Sequence, residues 1–153
     1  MEQEPWYNDV VFPALLRHAR TTYGKAMRAA LEEAGFDDIP GNGLYIIGGL
    51  ALEDREVPLR QLVRELGITK QGAGQLVDAL VMRGYLSRTV DENDRRQLIV
   101  MLTERGRAAA KVQAQVRERI DAQLAERVGE SDVKAARRAL GALIDMRREE
   151  AQA

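Results

Sequence analysis

Cysteine is absent from the 153 residues and histidine occurs once. Without a thiol there is no disulfide, no thiolate metal site and no cysteine-based redox sensor. One histidine supplies neither a Ser-His-Asp nor a Cys-His arrangement, and it is a poor start for a metal ligand set, so no metal and no cofactor is expected. Gly-rich phosphate loops are missing too. Carboxylate pairs such as Glu32-Glu33 and Glu149-Glu150 fall on patterned helices and read as solvated faces. Aromatic residues make up only 5% of the chain against 45% for all hydrophobic residues, so the core must be aliphatic, which suits packed helices. No apolar run approaches the ~20 residues that cross a bilayer, and Met1 to Pro5 is too acidic and polar to open an export signal. These absences argue against an enzyme and fit a cytoplasmic protein with no membrane contact.

Charge is nearly balanced, with 23 Lys/Arg against 24 Asp/Glu, but it is unevenly spread. Val57 to Arg107 holds nine basic and six acidic residues, which leaves the flanks net acidic. A basic middle in an acidic frame suits an anionic partner for the middle alone.

Apolar spacing predicts a mainly α chain. Val11, Leu15, Ala19, Tyr23, Ala26, Ala30 and Ala34 recur at helical spacing in a long first helix from Val10 to Ala34, with Pro13 early and Gly35 as its C-terminal cap. Leu44 to Glu53 is apolar, with Ile46, Ile47, Leu50 and Leu52, and suits a strand or a short buried helix, either weakened by Gly48-Gly49, the helix being favoured by the helical pattern of residues 59–81. Leu59, Leu62, Val63 and Leu66 stripe a helix entered at Pro58 and ended at Gly67. Thr69 can cap the next, which is striped by Ala73, Leu76, Val77, Leu80 and Val81 and closed by Gly84. Tyr85 to Val90, with Leu86 and Val90 on one face, and Leu98 to Leu102 predict two strands around a charged tip, Asp91 to Arg96. Thr103 caps a helix striped by Val112, Val116, Ile120, Leu124 and Val128. Gly129 breaks it. Ser131 is expected to cap a last helix carrying Val133, Leu140, Leu143, Ile144 and Met146, and Arg147 to Ala153 to fray.

Helix, tight turn, helix and hairpin together spell a winged helix-turn-helix, an arrangement that reads double-stranded DNA. The N-terminal end of the second helix reaches base edges in the major groove. Thr69, Lys70, Gln71 and Gln75 occupy that end, and Gln71 and Gln75 share the face opposite the apolar stripe. Gln can bond adenine at two points; Lys can serve a guanine or a phosphate. Gly72 and Gly74 each cost roughly 1 kcal/mol against Ala inside a helix. They suit close approach to a phosphate backbone, tuned flexibility or plain drift. At the hairpin tip, Arg95 and Arg96 can enter a narrow minor groove, and Asp94 can hold a neighbouring guanidinium.

The segment Pro58 to Ala109 resembles the MarR family of bacterial transcription regulators. The residues that carry the resemblance are Leu66-Gly67-Ile68-Thr69-Lys70-Gln71, Gln75 to Leu80, Arg83-Gly84-Tyr85-Leu86, the wing Asp91-Glu92-Asn93-Asp94-Arg95-Arg96, and Leu102-Thr103-Glu104-Arg105-Gly106. The resemblance implies a homodimer on a pseudo-palindromic operator, with Asp94 orienting the wing and Arg96 in the minor groove. It implies a single chain-wide MarR-like domain, residues 1–153. Within it, 44–102 form the winged DNA-binding region and 1–35 with 103–153 the helical dimerisation region. The wing departs from the family with Glu92 where Pro is frequent, and the recognition helix departs with its two glycines.

Many such regulators release DNA when a small aromatic or phenolic effector binds, and repression is the expected mode of action. The candidate contacts here are Trp6, Arg17, His18, Tyr23 and Tyr45. Blander roles compete: an exposed or hydrogen-bonded helix histidine for His18, an N-terminal anchor for Trp6, an acidic neighbour for Arg17. Two other functions compete with a regulator. A winged-helix protein-interaction module has no need of Lys70, Arg95 and Arg96 on one side. A non-specific architectural DNA-binding protein calls for a more basic chain.

Overall fold

The computed structural model describes residues 4–53 and 56–153, with only the backbone of Glu53 and Leu66. The first three residues of the polar opening and the side chain of Leu66, one member of a predicted stripe, lie outside the described residues. The chain divides into a unit up to Val116 and a unit from Arg117.

In the first unit, a 3-10 turn over Trp6–Asp9 precedes α1, Phe12–Glu33. Pro13 sits in the first turn of α1, where its missing N–H costs no hydrogen bond. Beyond α1 the chain turns sharply: Phe36 N–H donates to the Leu31 carbonyl at 2.8 Å and Gly35 N–H to that of Glu32 at 3.1 Å. The buried face of α1 is rotated from the predicted stripe. Gly24 and Leu31 are buried and Met27 packs on the core, while Val11 and Ala19 are exposed. Four members of that stripe, Leu15, Tyr23, Ala26 and Ala30, are half-buried like Met27, and Leu31 supplies the fully buried apolar area.

Gly43–Glu53 forms α2, the helix of the two readings left open. It buries Leu44, Ile46, Ile47 and Leu50 on nearly half of its circumference, and the other side is as apolar, with Tyr45, Gly48 and Gly49 half-buried, which is why its sequence shows no single face. Leu59–Leu66 forms α3, with Pro58 at its N-cap and Gly67 at φ 63° closing it in the left-handed conformation. Lys70–Met82 forms α4. Ala73, Val77 and Leu80 are buried along it, with Leu76 and Val81 half-buried beside them. Gly84, at φ 81°, lets Tyr85 N–H turn back to the Leu80 carbonyl at 2.9 Å.

The sheet has three antiparallel strands in the order β1-β3-β2, not the two predicted. Strand β1, Val57–Pro58, is too short to show a pattern, and it pairs Val57 with Val100 of β3, Leu98–Leu102. Strand β2, Leu86–Val90, pairs Leu86 with Leu102 and Val90 with Leu98. Leu86 is buried as expected but Val90 is 50% exposed, because the hairpin runs outward past the core. The core gathers residues of α1 to α4, all three strands and α5, Glu104–Val128, whose Ala109 and Ala110 are buried.

The second unit holds the end of α5 and α6, Glu130–Gln152. Two expectations are corrected here. Gly129, at φ 84°, occupies the N-cap, and Ser131 lies inside the helix. Glu130 and Asp132 then fall in the first turn, where the helix dipole favours them. The end does not fray from Arg147 but stays helical to Gln152, as a run of strong helix formers allows.

Candidate nucleic-acid interface

Helix α4 starts where a cap fixes it. Thr69 Oγ1 accepts from Gly72 N–H at 3.0 Å, satisfying one of the free donors of the first turn. The apolar stripe turns Ala73, Val77 and Leu80 inward, so Lys70, Gln71 and Gln75 stand exposed on the other side, with Thr69 exposed at the head. The two recognition-helix glycines separate. A Cβ on Gly72 would come within 3.0 Å of the capping Thr69 Oγ1, whereas a Cβ on Gly74 would meet nothing within 4 Å.

The wing tip is built by its acids. Asp91 Oδ1 accepts from Asn93 N–H at 2.8 Å, and Asp91 N–H donates to the Gln97 carbonyl at 2.9 Å. Asp94 Oδ1 accepts from Arg96 N–H at 3.1 Å, and the Asp94 carbonyl accepts from Gln97 N–H at 2.9 Å. Asp94 thus holds the Arg96 backbone rather than a neighbouring guanidinium. Asp94, Arg95 and Arg96 are all exposed.

Lys70, Asp94 and Arg96 come together around one cleft of about 320 Å³, with Arg60, Gln97 and an apolar floor of Leu59, Val63 and Leu98. Thr69, Gln71, Gln75 and Arg95 lie outside this lining. Lys70, Arg95 and Arg96 make no ion pair among the described residues. The arrangement can therefore receive an anion at the head of α4 and at the wing together.

Some residues here escaped the sequence reading. Arg60 shares the cleft. Arg88 of β2 pairs with Asp78, tying the sheet to α4. Asp38, Arg83, Tyr85 and Arg105 form a polar cluster at the far end of α4. Tyr85 is fully buried, and its hydroxyl is pushed up to about 12 by burial first and by its bond to Asp38 second. The Asp38 carboxyl is held below its ordinary value by the Tyr85 hydroxyl and then by the charges of Arg105 and Arg83, with burial pulling the other way. Spacing does not foretell a cluster drawn from a loop, a helix end, a strand and a second helix; only the family pattern around Gly84 and Gly106 touched it.

Residues 38–97 match the model of the MarR family. Over these residues, the winged-helix region, the chain is similar to that family. The fold agrees along most of the chain. It is similar to the S. aureus MepR–DNA complex, with 17% identity, a TM-score of 0.73, and coverage of 90% of this chain and 99% of that one. FabT of Streptococcus pneumoniae in complex with DNA is similar at 18% identity and a TM-score of 0.71, with 91% and 99% covered. The reduced form of MarR from E. coli gives 17% identity and a TM-score of 0.69, with 88% and 96% covered. At such identities the likeness establishes the fold. Among curated proteins no relative matches.

Within this fold the residues expected to meet an effector do not line the 320 Å³ cleft. Trp6 is exposed and packs edge to face on Tyr7, with ring centres 5.8 Å apart. Arg17 and His18 are exposed on α1, and their carbonyls accept from Thr21 and Thr22. Tyr23 is half-buried on the same helix. Tyr45 is half-buried under Arg20, whose guanidinium lies 4.1 Å from the ring centre.

Proposed function

We propose that the protein is a sequence-specific DNA-binding transcription regulator of the MarR family, a repressor that binds a pseudo-palindromic operator as a homodimer. The observation that carries this reading is the convergence of Lys70 and Arg96, exposed cations without an acidic partner among the described residues, on one cleft between the head of α4 and the wing. With α4 in the major groove, Gln71 and Gln75 meet base edges and the wing meets the flanking minor groove or its phosphates. MepR and FabT, proteins of similar fold, are known in complex with DNA, which supports DNA as the partner. Release by a small aromatic or phenolic effector belongs to the proposal. Of the expected contacts, Tyr45 has the surroundings for it, half-buried with Arg20 stacked on its ring.

The test begins with selection of bound fragments from random or genomic DNA by the purified protein, which yields the operator. Arg96→Ala is then compared with the unaltered chain. A lost charged contact of about 1.5–3 kcal/mol corresponds to roughly a ten- to hundredfold weaker operator complex. The dependence of log affinity on log salt falls by about one unit per subunit. The preference for A·T-rich flanks weakens, and the melting temperature hardly moves because the tip buries little. Full DNA affinity in a folded Arg96→Ala protein would remove the wing from the interface and favour a protein-interaction module.

A further inference from the structure

The recognition helix is held at both ends, and the holding at its far end is the more elaborate. At the head a single Thr69 hydroxyl caps α4. Past its C-terminus the guanidinium of Arg105, in the first turn of α5, spans three acceptors. Nη1 donates to the Arg83 carbonyl at 2.5 Å, and Nη2 donates to Asp38 Oδ1 and to the Tyr85 hydroxyl oxygen, both at 3.0 Å. The same guanidinium lies over the Tyr85 ring, 4.3 Å from its centre. Tyr85 O–H donates to Asp38 Oδ1, and Arg83 Nη1 donates to the Asp38 carbonyl at 2.6 Å. Beneath this cluster, Thr103 O–H donates to the Gly84 carbonyl at 2.5 Å and Thr103 Oγ1 accepts from Gly106 N–H at 3.1 Å. Chain elements far apart in sequence therefore meet at one joint: the loop before α2, the exit of α4, the start of β2 and the start of α5.

We propose that Arg105, together with Asp38 and the Tyr85 hydroxyl, is a positioning joint that fixes the angle of α4 against α5 and thereby sets discrimination between operator and other DNA. The inference rests on the regulator reading above. Its physical basis is leverage. From Met82 back to Lys70 the helix spans roughly 18 Å at 1.5 Å per residue, so a swing of about 5° at the joint moves Lys70 by about 1.5 Å. Base-edge hydrogen bonds fail at such a displacement, since they weaken steeply with distance and angle. Attraction to phosphates survives it, because charges act over about 8–10 Å in ordinary salt. Loosening the joint must then cost operator affinity and spare non-specific affinity. A group that served stability alone would lower both by the same folded fraction and leave their ratio untouched. The fork is the essential part, because one ammonium cannot reach three acceptors in a fixed plane.

Tyr85→Phe is the cleanest variant: it deletes one hydroxyl, keeps charge and volume, and leaves the ring against Phe36 at 6.2 Å. Asp38→Asn and Arg105→Lys test the carboxylate and the fork. The ratio of operator to random-duplex affinity is measured for each at a protein concentration and temperature where all are folded. The expected result is a loss of about tenfold in that ratio for each variant, the size of coupling changes carried by such networks. Arg105→Lys fails to restore it although the charge remains, and the Tyr85→Phe, Arg105→Lys double variant loses less than the product of the two. A second readout needs no DNA: hydrogen exchange at the amide of Tyr85, which bonds the Leu80 carbonyl at the exit of α4, and at the amide of Thr103, which bonds the Tyr85 carbonyl across the joint. It should quicken in Tyr85→Phe while amides of α2 hold. An unchanged ratio in all three variants overturns the proposal, and so does unchanged exchange at both amides. If the unaltered chain prefers no duplex, the regulator reading fails by itself, and the exchange data still decide whether the joint holds α4.

Discussion

Asp38 and Arg96 show how differently two charged residues can be used in one small protein. Arg96 stands exposed with its side chain unpaired among the described residues, which leaves it available to the proposed DNA partner. Asp38 is committed inward, to Tyr85, Arg105 and Arg83. Its folded-state pKa is lowered from the ordinary 3.8, so the carboxylate contributes stability above that value and loses the contribution as pH falls through the folded one. The groups facing it are the Tyr85 hydroxyl, Arg105 and Arg83, while neighbouring Asp37 acts on the Tyr85 hydroxyl. Tyr85, pushed up to about 12, stays a hydrogen-bond donor across the whole range. Asp38→Asn should therefore be less stable than the unaltered chain at about pH 6–7, with the gap closing as the solution is acidified below the ordinary carboxylate range. Paired thermal melts across that range measure it. A gap that widened on acidification would show that the carboxylate is not favoured in the folded state.

Glycines in the elements illustrate what was legible in the sequence and what was not. The helix-turn-helix was readable because its apolar residues recur at a strict spacing and Thr69, Gly67 and Gly84 punctuate it; the structure keeps each of those boundaries. The α1 face was legible only in part, because Leu31, off the stripe, carries the buried apolar area while Val11 and Ala19 of the stripe stay exposed. Strand β1 was invisible because two residues carry no period. On the candidate site, the exposed heads of α4 and the wing were legible, while Arg60, Arg88 and Asp38 were not, since their partners come from distant elements. The reason for Gly106 was equally hidden. A Cβ there would run into the Tyr85 carbonyl oxygen and sit 2.9 Å from Leu102, so α5 packs against the start of β2 only with hydrogen at that position. Gly106→Ala should destabilise by about 1–3 kcal/mol or more, as overpacking against backbone does. Gly74→Ala should do the reverse, adding about 0.4–1 kcal/mol, because its Cβ enters open space in a helix interior. Denaturant melts of the two variants give the comparison, and a destabilised Gly74→Ala would mean that α4 needs its flexibility even in the free protein.

Exposed apolar side chains on α6 and near the end of α5 support the proposed homodimer. Leu140, Leu143 and Ile144 on α6 are 41%, 42% and 45% exposed, and Leu124 and Val128 near the end of α5 are 40% and 45% exposed. Spaced three and four apart, Leu140, Leu143 and Ile144 form one row on α6, as predicted from their spacing. Fully burying such a side chain is worth about 1.5–3 kcal/mol, so covering the remaining exposed part of each gains about 1 kcal/mol. Several such residues meeting their copies across a two-fold axis contribute enough to favour association at micromolar concentration, and a two-fold axis is what a pseudo-palindromic operator demands. The unaltered chain should sediment as a dimer in that range. Leu140→Asp with Ile144→Asp places charges on the row without removing the helix formers around it. That variant should sediment as a monomer or aggregate. Where it stays monomeric, its winged-helix region should keep its fold, and operator affinity should drop by about 10²–10⁴-fold through loss of the linked second half-site. Binding to a half-site duplex should persist at the weak affinity of one unit. A monomeric unaltered chain that still binds the full operator tightly, or a double variant that remains a dimer with full affinity, would place the second copy elsewhere than on this row.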